Sequence, residues 1–150
     1  MSQIDLKKFI NNYGITSSDQ LITLAKKFKI DLKFIGLTNN LQNIKITNGS
    51  YIINIGDQIG THWTACFIEG NNCFYYDSFS AAPEDDLLDI LNSNSKVTKL
   101  IYNSDFQMQQ IDEQLCGIYS LIFLYHMTHS KKKLLIDRFK DFTKNYKNFM

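Results

Sequence analysis

The chain has 150 residues, 44% of them hydrophobic and 13% aromatic, enough apolar side chain for one globular domain spanning 1–150 and too much for a disordered segment. Sixteen Lys and Arg against fifteen Asp and Glu leave a net charge of +1, which excludes coating of a polyanion by total charge alone. Cys66, Cys73 and Cys116 form neither a disulfide framework nor a CxxC zinc or redox motif, and fit a reducing, intracellular setting.

Met1 to Asn12 interleaves Asp5, Lys7 and Lys8 with Ile4, Leu6 and Phe9, so neither a signal peptide nor a membrane anchor is expected. Ile4, Leu6, Phe9, Ile10 and Tyr13 recur at helical spacing and stop at Gly14. Ser17 with Gln20 reads as a capping box opening a second helix through Leu21, Leu24, Ala25 and Phe28, so the N-terminal third is expected to be two short helices. Tyr51 to Ile55 reads as a strand, and Gly56 and Gly60 as a turn. The runs Thr61 to Glu69 and Cys73 to Asp77, separated by Gly70-Asn-Asn72, have the grammar of a hairpin. Pro83-Glu-Asp-Asp86 suits a helix N-terminus with Leu87, Leu88 and Leu91 to bury. Val97 to Tyr102 reads as a further strand, Asn103 to Gln114 as a polar segment, and Gly117 to His126 as a fully buried helix. Leu134, Leu135, Phe139, Phe142 and Tyr146 mark one face of a terminal amphipathic helix.

Cys116 falls where the polar segment gives way to the buried helix. Free amide N–H groups and the helix dipole stabilise a thiolate at such a junction, and a buried inert cysteine is the competing reading. His62 begins one strand of the hairpin and Asp77 ends the other, and antiparallel pairing brings these ends together. A histidine near neutral pKa can serve a thiol as base, and an adjacent carboxylate fixes its tautomer. Taken singly, His62 is better explained as a hydrogen-bonded, half-buried histidine, and the competing reading of Asp77 is a strand-end turn former. His126 and His129 follow Cys116 by ten or more residues along one helix or its exit, some 15 Å away, and are poor partners for it. Gln107, Gln109, Gln110 and Gln114 are candidate oxyanion donors between which composition does not choose. Gly117 would let a substrate backbone approach the sulfur. A metal site from Cys66, Cys73 and His62 lacks recognised ligand spacing, so no metal is expected.

Gly60-Thr-His-Trp63, Tyr75-Tyr-Asp-Ser-Phe79 and Gln109 through Cys116-Gly-Ile-Tyr119, in that order, resemble the adenovirus-protease and Ulp1-like cysteine peptidases, most of all the small versions in virophages, Polinton-like elements and giant-virus relatives. The similarity spans roughly Tyr51 to Met127. It implies an α+β fold, a central mostly antiparallel sheet flanked by helices, with the nucleophile at the N-terminus of a buried helix. It implies Cys116 as nucleophile, His62 as general base, Asp77 as the acid that orients it, and Trp63 beside the substrate cleft. Gln109 fits the viral spacing for the oxyanion glutamine, and Gln110 fits the cellular deconjugase spacing. Ser120 stands where the family often has a second cysteine or a small residue.

What the resemblance implies for function is a thiol endopeptidase that cleaves capsid or other virion precursor proteins during maturation, in the host cytoplasm (virus factory) and virion, not secreted and monomeric. A ubiquitin- or SUMO-like deconjugating protease is the alternative, and a catalytically silent binding module the alternative of another class. The chemistry needs no cofactor, although DNA or a peptide activates some relatives. From Met127 onward seven basic residues meet two acidic ones. Lys131, Lys132, Lys133 and Lys140 read either as a solvated helix face or as a non-specific DNA contact.

Overall fold

The computed structural model describes residues 17–55, 62–103 and 116–145; the helix expected over Ile4 to Tyr13, the Gly56 and Gly60 turn, Gln107, Gln109, Gln110, Gln114 and Tyr146 lie outside the described residues. Ser17 opens helix α1 (Ser18–Lys27) with both halves of its capping box, the Gln20 N–H donating to Ser17 Oγ at 3.2 Å and the Ser17 N–H to Gln20 Oε1 at 2.9 Å. Leu21, Leu24 and Ala25 are its buried face.

Next come a strand and a short helix absent from the sequence reading: β1 (Leu32–Leu37) and a 3-10 helix (Thr38–Asn43). The N-terminal third is therefore not helical throughout. Leu-Lys-Phe-Ile-Gly-Leu lacks clean alternation because β1 is a half-exposed edge strand with a register irregularity between Leu32 and Phe34. β1 runs parallel to β2 (Gly49–Asn54), which is antiparallel to β3 (Trp63–Glu69). β3 turns through Gly70, at φ +58, into antiparallel β4 (Asn72–Tyr76), the expected hairpin. Helix α2 (Asp85–Asn94) is capped at Glu84, so Pro83 precedes the cap instead of opening the helix. It leads to β5 (Lys99–Tyr102), parallel to β4. The sheet order is β1-β2-β3-β4-β5, antiparallel at its centre and parallel at both edges, and the fold is α+β.

Period-two alternation divides the sheet between two cores. Ile52, Ala65, Phe74 and Tyr76 face α1 and the two C-terminal helices, α3 (Cys116–His129) and α4 (Leu135–Asn145). Tyr51, Ile53, Cys66, Ile68, Cys73 and Tyr75 face the 3-10 helix and α2. Eleven of the fourteen α3 residues are buried, so it has no solvent stripe, as its continuous apolar run requires. Tyr76 stacks on Phe123 at 5.0 Å and 14°, and Phe142 meets Phe123 edge-on at 5.5 Å, which ties β4, α3 and α4 together. Leu134, expected on the buried face of the terminal helix, precedes α4 and is 62% exposed. Arg138 is occupied structurally, its guanidinium donating to the Met127 and Lys132 carbonyls at 2.7 and 2.6 Å and so closing the C-terminal end of α3. Among the described residues no helix is long and apolar enough to cross a membrane.

Candidate active site

The hairpin assembles two of the three polar groups. Pairing of Ala65 with Tyr76, continued past the end of the ladder, would set Thr64 opposite Asp77 and His62 opposite Phe79. The Ile55 N–H donates to the His62 carbonyl at 2.9 Å, holding the backbone at the mouth of β3. His62 Nε2 then lies 2.8 Å from Asp77 Oδ1, and the Phe79 ring stacks on the imidazole at 4.7 Å and 24°. Asp77 is 1% exposed. The same Oδ1 accepts the Phe79 N–H at 2.8 Å, and the Asp77 carbonyl accepts the Ser80 N–H at 2.8 Å. Ser80, at φ +61, occupies a conformation that costs a non-glycine residue roughly 1–2 kcal/mol. A buried carboxamide, Asn103, completes the support: Oδ1 accepts the Asp77 N–H at 3.0 Å and Nδ2 donates to the Asp77 carbonyl at 2.7 Å.

The third group comes from α3, whose first residue is Cys116. The helix docks on the first residue of β3 through both of its backbone polar groups. The Trp63 N–H donates to Cys116 Sγ at 3.3 Å, and Ser120 Oγ, one turn on, donates to the Trp63 carbonyl at 3.3 Å. This docking puts the thiol against the imidazole, where it is the ring's second side-chain hydrogen-bond partner. Asp77 occupies Nε2, which leaves Nδ1 for the sulfur. Burial pulls the His62 pKa down, but the Asp77 hydrogen bond, the Cys116 hydrogen bond and the negative charge of both partners outweigh it and raise the ring from 6.5 to about 9.

The structure thus brings Cys116, His62 and Asp77 together from three chain positions. Gln109 and Gln110 lie outside the described residues. Trp63 is half-buried beside the N-terminus of α3, its Cδ1 and the Leu21 methyls 3.2–3.3 Å from where a Gly117 side chain would begin. A side chain at Gly117 would press on Trp63 and Leu21, so close packing of α3 against β3 and α1 favours glycine there. Lys131, Lys132, Lys133 and Lys140 are exposed. The three consecutive lysines follow the C-terminus of α3, roughly 20 Å along the helix from the sulfur. His126 Nε2 meets the Arg138 carbonyl at 3.1 Å and His129 Nε2 the Phe28 carbonyl at 3.0 Å, so both pin the far end of α3. Cys66 and Cys73 lie in the core on the opposite face of the sheet, and among the described residues no group of three His, Cys, Asp or Glu is arranged to hold a metal ion.

Three supporting residues were not singled out as site residues from the sequence. Ser120 has a signal, a hydroxyl one turn after Cys116 in an otherwise apolar run. Phe79 could have been found by extending the hairpin register past its last pair. Asn103, an asparagine just after a strand, carries no signal of its own role.

No protein-family model matches the chain, and no curated protein sequence matches it. Among solved structures, the ASFV pS273R protease superposes with a TM-score of 0.55 over 89% of this chain and 67% of that one, at 14% identity. The fold is shared with the ASFV pS273R protease. A selenomethionine form of that protease aligns over 93% of this chain and 74% of that one, at 16% identity and a TM-score of 0.46.

Proposed function

We propose that this chain is a cysteine endopeptidase of the adenovirus-protease and Ulp1-like kind, with Cys116 as nucleophile, His62 as proton carrier and Asp77 as the acid that orients it. The observation that carries the reading is the continuous chain of contacts Asp77–His62–Cys116, with the sulfur at the first turn of a buried helix. A shared fold with a protease adds support.

In the resting site the proton lies on the imidazole, because both of its partners favour the charged ring. The Cys116 thiolate attacks the scissile carbonyl carbon, forming a C–S bond and a tetrahedral oxyanion. Gln109, or Gln110 if the cellular spacing holds, donates to that oxygen. The imidazolium passes its proton to the leaving amine as the C–N bond breaks, which leaves a thioester on Cys116. Neutral His62 then takes a proton from water, the hydroxide equivalent attacks the thioester, and the sulfur departs as thiolate with the ring again protonated. Asp77 holds His62 Nε2 and so fixes the tautomer and orientation of the ring.

Virion precursors are the proposed substrates, cut at segments with glycine near the scissile bond, and the host cytoplasm and the virion are the proposed setting. No metal or organic cofactor enters these steps. Cys116→Ala should abolish cleavage of a glycine-containing capsid-precursor peptide while leaving the circular dichroism spectrum unchanged; turnover by this variant would defeat the reading. Running the wild type on that peptide and on a ubiquitin-like fusion in parallel separates virion processing from deconjugation, and turnover of neither points to a silent binding module.

A further inference from the structure

Asn103 lies just past the last rung of the parallel β4–β5 ladder, where Tyr75 pairs with Tyr102. β5 ends at Tyr102, so Asn103 is the first residue past it. Asp77, one residue past β4, would thereby lose the neighbour strand that satisfies its peptide groups. The Asn103 carboxamide replaces it. A carboxamide presents one acceptor and one donor side by side, as a peptide group does, and here it takes the Asp77 N–H on Oδ1 and gives Nδ2–H to the Asp77 carbonyl. Nδ2 also reaches Ser80 Oγ at 3.4 Å, bracing the left-handed turn that follows. Asn103 is 4% exposed, so these bonds form where water does not compete.

We infer that Asn103 is a positioning residue for the proposed peptidase: it fixes the Asp77 backbone by imitating a strand, and thereby sets where the carboxylate meets His62. This rests on the triad reading above. The physical reason is that Asp77 Oδ1 is shared between His62 Nε2 and the Phe79 N–H, so a small rotation of residues 77–79 would trade one bond for the other. Anchoring both peptide groups of Asp77 removes that freedom. Any purely apolar residue would leave the buried Asp77 N–H unsatisfied and its carbonyl held by the Ser80 N–H alone. An aspartate would set a negative charge against a carbonyl oxygen.

The test compares Asn103→Ala and Asn103→Asp with Asn94→Ala. Asn94 is a part-buried asparagine that also bonds to backbone carbonyls, those of Leu41 and Ile44, but it serves the other face of the sheet. The titratable groups facing the His62 ring among the described residues are Asp77 and Cys116, and neither is changed. The first readout is the His62 Cε1–H titration by NMR; the second is kcat and KM on the glycine-containing peptide. Asn103→Ala should bring the His62 pKa down from about 9 toward or below 6.5, because burial continues to disfavour the charged ring once Asp77 is misplaced; in Asn103→Asp the added carboxylate opposes that fall, so kcat is the readout of the two variants in common. They should lower kcat about 10- to 100-fold with KM little changed. Asn94→Ala should lower the melting temperature and leave the His62 titration in place. Asn103→Asp keeps the size and the acceptor, so it serves if alanine does not fold. An Asn103→Ala variant that titrates at His62 like the wild type, or an Asn103→Asp variant that melts earlier yet keeps the wild-type kcat, would overturn the inference. A wild type without peptidase activity, whose His62 titration nonetheless moves with Asn103, would remove the enzymatic reading and leave the positioning role standing.

Discussion

At His62 two opposed effects meet, and their balance is measurable. Burial favours the neutral ring, while the carboxylate on Nε2 and the Cys116 sulfur favour the charged one and win, with a pKa of about 9 against 6.5 for a free histidine. Because the folded pKa is the higher, the stabilisation from this group is fully present below pH 6.5 and is lost as pH rises through 9. Asp77→Asn removes the charge that sustains it. We expect the His62 NMR titration of that variant to fall to or below 6.5, and the wild-type advantage in urea midpoint to shrink between pH 6.5 and 9; an unmoved titration would show that Asp77 is not its cause. Cleavage by the same variant should drop about 100-fold or more, since an amide neither fixes the tautomer nor compensates the imidazolium. His62 and Asp77 were legible as a pair because antiparallel geometry obliges a hairpin to return one strand's end to its neighbour's start. The supports around them, Phe79 and Asn103, were not, because they act through register and backbone bonds that residue type does not reveal.

Among the elements, α3 and its seat on β3 decide where the proposed nucleophile, Cys116, is held. The Ser120 hydroxyl is completely buried and holds the Trp63 carbonyl, while the Trp63 N–H holds the sulfur, so strand and helix are linked on both sides of one residue. Ser120→Ala leaves that link one bond short at a cost of about 1 kcal/mol. Chemical denaturation should show this loss together with slower alkylation of Cys116; equal stability and equal alkylation would mean that packing alone seats the helix. The extent of α3, the α1 capping box and the β3–β4 hairpin could all be read from the chain, since periodicity, capping and turn chemistry are local. β1 and the parallel edge pairings could not. Leu32 finds its partner at Ser50 and Asn72 its partner at Lys99, and such long-range pairing leaves little local trace in an edge strand half open to solvent.

Across the whole fold, and among the described residues, the proposed catalytic groups sit at the N-terminal end of α3, whereas Lys131, Lys132 and Lys133 crowd the segment after its C-terminal end, with Arg138 committed to capping. If the lysines hold duplex DNA, replacing these three by glutamine should reduce the slope of log K against log salt by about 3 and leave DNA-free peptide cleavage unchanged; an unaltered slope assigns them to a solvated face. The three thiols divide in the same way. Hydrogen bonding to Cys73 and burial both push the Cys66 thiol up, and both of these cysteines lie inside the second core, away from His62. The most direct measurement is therefore site-resolved labelling of the folded protein with a glycine-ended peptide vinyl sulfone, read by mass spectrometry of the digested chain. The adduct should form on Cys116 alone, and should be lost in His62→Ala. Labelling spread over Cys66, Cys73 and Cys116, or a His62→Ala variant that reacts as fast as the wild type, would contradict the assignment of Cys116 and His62 as a catalytic pair.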